Sequence, residues 1–188
     1  MKKLNDPQDW IAGINLCKND VVLLTKDLSD EQFNWKPSPK KWSVAECLDH
    51  LIVSGNKMIP YMTKGVAKGH KRKMFGDAPF FTGFVGKWFL SGSGKGGKPM
   101  PAPKVFIPSS SDFKKKFVLD EFMLLQDSYL SLLEQSEGLN LSKIYVRSAI
   151  TPFLRFNLAT WFQAMPGHQL RHFDQIRRVL NSEGFLKG

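Results

Sequence analysis

The chain is predicted to be all-α: a four-helix bundle with one long crossover between its second and third helices. Three observations carry that expectation. Four segments of the 188-residue sequence place apolar residues three and four apart, the period of a helix with one buried face. Alternating runs that would read as strands are scarce. Between the second and third periodic segments lies a stretch, 68–111, rich in Gly, Pro and Lys with aromatics among them, longer than a compact domain usually tolerates as a plain connection. The whole of 1–188 is expected to be one domain, with 68–111 a loop or flap within it.

The first helix is expected over Pro7–Leu28, where Trp10, Ile14, Cys17, Val21 and Leu24 recur at helical spacing. The run SDEQFNWKPSPKKW reads as loop, because Pro37 and Pro39 forbid a helix there. Ser43 followed by Glu46 has the spacing of a capping box and starts the second helix at Val44. Val44, Leu48, Leu51, Gly55, Met58 and Met62 form its stripe; the end is expected near Gly65, with Pro60 kinking or shortening it. In the crossover, Phe75, Phe80, Phe81, Phe84, Trp88 and Phe89 suggest a short helix or flap over the core, and SGSGKGGKPMPAP reads as flexible or extended. SGSGKGGK lacks the Lys-Ser/Thr ending and the flanking strand of a phosphate loop. The third helix is expected over Asp112–Glu137, capped by Ser111 or Asp112, with Phe117, Phe122, Leu125, Tyr129 and Leu132 inward and Gly138 as its stop. A linker with one extended piece follows, then a last helix over Leu158–Asn181 with Pro166 inside it. No internal repeat is evident.

Composition narrows the classes of function. Hydrophobic residues make up 42% and charged residues 23%, as in an ordinary globular protein. No apolar run approaches the roughly 20 residues of a spanning helix, and the start MKKLNDPQDW lacks the apolar core of a secretory signal. Cys17 and Cys47 make no disulfide framework, so a reducing, cytoplasmic setting is expected. The net charge is +10, but the lysines are spread along the chain, with local clusters at KGHKRK and Lys114–Lys116. That pattern reads as solvated surface, and neither nucleic acid nor a membrane is expected as a partner.

Two of the four histidines, His168 and His172, stand one turn apart in MPGHQLRHFDQI. In the last helix Leu158, Trp161, Met165, His168, His172, Gln175 and Val179 step by three and four, the spacing of positions that face a bundle core. Two inward imidazoles are costly without partners, and a metal accepting a nitrogen from each satisfies both. The alternative is that both lie at the bundle edge and bond to water or backbone. A metal needs a third protein ligand. The residues on offer are His50, which flanks the second helix's stripe, His70, Cys47 and the carboxylates; His70 sits among cations in KGHKRK, and Cys47 reads as a small core residue.

The stretch FNWKPSPKKWSVAECLDHLIVS resembles the signature of the DinB/YfiT-like superfamily, in which a Trp-x-Pro turn and a Trp-Ser pair precede a helix carrying a histidine. MPGHQLRHFDQI resembles that superfamily's second signature, a histidine pair followed by Gln-Ile. The resemblance implies an up-down-down-up bundle and a divalent metal, often nickel or zinc, on three histidines. Residue by residue these are His50, His168 and His172. It further implies thiol-dependent transferase, isomerase or hydrolase chemistry, small-molecule substrates including low-molecular-weight thiols, and a homodimer.

A three-histidine site with open positions lowers the pKa of bound water or binds a thiolate. On that reading Lys68, Lys71, Arg72 and Lys73 are a candidate attractor for an anionic thiol, Gln169 and Arg171 flank the cavity mouth, and Gln175 backs His172. Glu46 is within a turn of His50 but has its capping duty, and Asp49 should point elsewhere. Trp35, Trp42 and Trp161 read as core anchors. No Ser-His-Asp or Cys-His constellation is legible. The competing class is a non-catalytic bundle that binds a ligand or partner, with or without a structural metal.

Overall fold

The computed structural model describes residues 6–94 and 101–185. The first residues of MKKLNDPQDW and the segment 95–100 of the glycine-rich crossover lie outside them. The elements are α1 (Pro7–Thr25), α2 (Asp30–Asn34), α3 (Val44–Lys71), α4 (Phe84–Ser93), a 3-10 turn (Lys104–Phe106), α5 (Lys115–Gln135), strands β1 (Tyr145–Arg147) and β2 (Arg155–Asn157), and α6 (Leu158–Leu180). The protein is an all-α bundle, as its periodicity predicts. No helix among the described residues is long and apolar enough to cross a membrane.

The long helices pack in a ring, α1 against α5 and α6, and α3 against α5 and α6. Specific contacts fix their directions. Trp10 stacks on Phe162 at 5.7 Å and Asp20 pairs with Arg177 at 3.0 Å, so α1 and α6 run the same way. His50, near the start of α3, meets His168, well along α6, so these two run oppositely. His70 at the end of α3 reaches Gln135 at the end of α5, so α3 and α5 are parallel. The order is therefore up, down, down, up. A common apolar core draws on α1, α2, α3, α5 and α6, from Trp10 and Phe33 to Phe122, Phe162 and Phe173.

The helix starts follow local chemistry where the sequence signals it. Asp6 caps α1 ahead of Pro7, and Ser43 and Glu46 form the reciprocal capping box of α3. Asn157 caps α6 through Thr160 and also donates to the carbonyls of Phe81 and Ser142. One buried side chain thus joins the crossover to the start of the last helix.

Several expectations are corrected by tertiary contacts. SDEQFNW is not all loop: Asp30–Asn34 form a short helix under a second capping box, Ser29 with Gln32. α3 neither stops near Gly65 nor ends at Pro60. Pro60 and Asn56, the carbonyl it cannot bond, both lie on the exposed face, where a missing backbone donor costs least. Gly65 and Gly69 are points of close approach rather than breaks, pressed by Val146, Ile144 and Leu139. α1 ends at Thr25 instead of Leu28, with Thr25 buried and Leu24 only half-buried. α5 starts three residues later than Asp112, because its cap is tertiary: Asp30 of α2 accepts from the Lys115 N–H. Its inward residue is Val118, and Phe117 is 65% exposed. Gly138 ends the α5 region with φ of 72°, as its position predicts. The linker after it holds an antiparallel pair, Val146 opposite Phe156. Part of the glycine-rich run is helical: Ser91–Ser93 close α4, which lies along α6 with Phe89 between Phe156 and Trp161. Phe80 is buried on Trp10, but Phe75, Phe81, Phe84 and Trp88 remain exposed.

An added Cβ at Gly65 would stand 2.4 Å from Val146 Cγ1. Gly65→Ala should therefore destabilise by ~1–3 kcal/mol in a denaturant titration, against the ~1 kcal/mol that alanine gains in an open helix. Adding Val146→Ala should recover part of the loss, and a stabilised single variant would contradict the close approach.

Candidate metal centre

His50 occupies the second turn of α3, His168 and His172 the middle of α6, and the antiparallel packing of these helices brings the three together. His50 and His172 are buried and His168 is half-buried. His168 Nε2 stands 3.4 Å from His50 Nε2 and 3.2 Å from His172 Nε2. The three ligand atoms all lie within 4.8 Å of one another.

The tautomer of His50 follows from its other nitrogen. Nδ1 is 2.6 Å from the backbone carbonyl of Phe106, which only accepts, so Nδ1 carries the hydrogen. In the neutral ring Nε2 is then a bare lone pair aimed at the cluster. The carbonyl itself is held in place by the neighbour of His50. Asp49 is buried and accepts from the Ser109 N–H at 2.6 Å and the Ser109 hydroxyl at 3.1 Å. The chain of contacts runs from Asp49 through residues 106–109 back to the next residue on the same helix. Trp42 packs over His172 at 5.9 Å and 22° and over His50 at 4.9 Å, restricting both rings.

Protonation of these rings is disfavoured. Burial holds His172, His168 and His50 below the ordinary histidine value of 6.5. For His168 and His172 the neighbouring imidazoles and Arg171 add to that effect, while for His50 the Phe106 carbonyl and Asp49 work against it. Gln175 acts weakly on His172 in the same opposing sense, yet no hydrogen bond of ordinary geometry reaches His172 Nδ1.

Three neutral imidazoles converging on one point form a cluster that can hold a metal ion. The spacing suits one. Ligand nitrogens about 2.0–2.1 Å from a tetrahedral ion stand roughly 3.3–3.4 Å apart, close to the two spacings here. The cluster opens into a cleft of about 990 Å³ between α3 and α6, the size of a small-molecule site.

The other residues weighed from sequence fall out differently. His70 sits in the last turn of α3, its Nε2 bound to the Gln135 carbonyl, far from the cluster. Lys68, Lys71, Arg72 and Lys73 share that end; Lys68 is roughly 27 Å along the helix from His50, so these cations cannot serve the site. Cys47 is buried in the core. Glu46 is tied to the Ser43 N–H and to Lys36 at 2.8 Å. Asp49 does not point away idly but anchors Ser109. Gln169 and Arg171 do line the cleft, as expected, Gln169 buried against Gln126 and Arg171 donating to the Gly92 carbonyl of α4. Trp42 and Trp161 line the cleft rather than serving only as core anchors. Sequence reasoning missed Trp42 as a ring clamp, although its Trp-Ser pair was in view, and missed Phe106 and Ser109, whose role depends on a return loop that no local pattern announces.

A family model described as the DinB superfamily matches residues 15–176. No curated protein and no solved structure matches the chain.

Below pH 6.5 the unfolded chain takes up protons on these rings while the folded, metal-free protein resists them. Stability in chelator should therefore be full above that pH and fall as the pH drops below it, by about 1 kcal/mol per ring per pH unit. Denaturant midpoints at pH 7.5 and 5.5 measure this, and His172→Gln should reduce the slope. Asp49→Asn should weaken metal uptake ~10–100-fold in a competition with a chromophoric chelator. Equal uptake would show that the Ser109 contact does not steer His50.

Proposed function

The chain belongs to the DinB superfamily, and from that premise we propose that it is a metal-dependent enzyme holding a divalent ion, zinc or nickel, on His50, His168 and His172. The reaction we assign is thiol-dependent S-transfer, or hydrolysis, of a small molecule. The observation that carries this is the Phe106 carbonyl on His50 Nδ1, which commits that ring to offering Nε2 to the other two. When bound there, such an ion would supply a Lewis-acidic centre with positions left for water or a thiolate.

The chain's own groups then have limited duties. The rings are already neutral, so binding need not strip protons from them near neutral pH. Cys17 and Cys47 are buried, and burial pushes Cys17 to about 12 and Cys47 higher still. Neither supplies a thiolate, which leaves that part to a low-molecular-weight thiol brought by the reaction. Tyr129 lines the cleft with a hydroxyl that burial keeps protonated, a donor for a substrate oxygen. Glu46 and Asp49 are engaged elsewhere and do not act as bases. A homodimer and a cytoplasmic setting complete the proposal.

Protein purified without added chelator should carry about one zinc or nickel per chain by elemental analysis, and His172→Ala should lose it. Chelator should lower Tm of the native protein and leave that variant unchanged. Metal-free native protein with the same Tm in chelator would instead favour the non-catalytic bundle.

A further inference from the structure

The cleft beside the histidines is polarised along its length. Because α3 and α6 are antiparallel, residues preceding His50 on α3 share one end with residues following His172 on α6. That end carries Lys40, Lys41 and Arg178, all exposed and lining the cleft. None of the three takes part in an ion pair among the described residues. The one carboxylate among the described lining residues, Asp174, is paired with Arg177 at 3.0 Å. Beyond the histidines the cleft changes character. Among the described residues, Leu51, Met58, Ile150, Trp161 and Met165 line it there, and the polar groups, Ser54, Ser148, Gln169 and Tyr129, are neutral; Arg171, level with the histidines on α6, is the remaining lining cation and donates to the Gly92 carbonyl. Trp161 Nε1 and Gln169 Oε1 are buried and have no hydrogen-bond partner.

We propose that the substrate is a bipartite small molecule: an anionic group held between Lys40, Lys41 and Arg178, and an uncharged, largely apolar body beyond the histidines. The point of reaction then lies between the two parts, at the imidazole cluster. This rests on the metal-site reading for where the chemistry occurs, but the binding itself does not require a metal. Unpaired cations at one end attract an anion and, facing no free carboxylate, repel a cation. An anion at the other end would lose its water among apolar side chains with no counter-charge. Orientation is thus set by charge at one end and by dehydration at the other.

The test uses octane-1-sulfonate, a poor metal ligand with one anionic end and one apolar end. Binding to the purified protein is followed by titration calorimetry, beside 1-octanol and octylammonium as neutral and cationic counterparts. The sulfonate should bind at least about fivefold more tightly than the alcohol, with affinity falling as salt rises, and octylammonium should be weakest. The double variant Lys41→Glu/Arg178→Glu should lose that advantage while still taking up metal in chelator competition. Ile150→Glu, at an exposed position on the rim of the cleft, should weaken sulfonate binding from the neutral end. The proposal is overturned by equal binding of sulfonate and alcohol, by no sulfonate binding, or by a double variant that binds sulfonate as the native chain does. A chain that binds sulfonate as expected yet takes up no metal would overturn only the metal reading.

Discussion

Three imidazoles brought to one point inside a helical bundle are the constraint around which this fold is arranged. Each ring costs free energy to dehydrate, a proton on His172 is opposed by both other rings, and one on His168 is opposed by His50. The chain meets that cost with neutral rings, a carbonyl acceptor on His50 Nδ1 and an indole packed over His172. Nothing comparable surrounds His70, which lies at the opposite end of α3 and simply bonds a free helix-terminal carbonyl. The difference between those two histidines, on one helix, is the difference between a site and a cap.

The crossover explains how the cluster is kept in register. Its return, through the 3-10 turn and Ser109, crosses the start of α3 and supplies the Phe106 carbonyl. Asp49 fastens that return from the helix side, so of two adjacent residues of α3 one anchors the return and the other carries the imidazole that the return orients. At the far end of the bundle Asn157 plays a similar joining part, tying Phe81 and Ser142 to the first turn of α6. A segment that composition marks as loose is therefore pinned at both ends by buried side chains.

Much of this was legible in the sequence. Helical period placed all four long helices, the Ser43–Glu46 spacing located the start of α3, and the three-four steps through His168 and His172 aimed both rings inward. The choice of His50 came from family resemblance, since spacing alone left His70, Cys47 and carboxylates open. What was not legible depended on partners distant in sequence. The start of α5 is set by Asp30 of another helix, α3 runs through Gly65 because Val146 and Ile144 pack there, and Asp49 finds Ser109 across a long crossover. The cations of KGHKRK were drawn to the site by chemical plausibility alone, and the length of α3 removes them from it.

The central claim is that side chains from α3 and α6 share one cation. X-ray absorption at the metal edge of zinc-loaded protein examines this at the atoms concerned. The account predicts three imidazole nitrogens about 2.0–2.1 Å from the metal and no sulfur in its shell. A shell containing thiolate sulfur, or one built of oxygens without imidazole scattering, would contradict it.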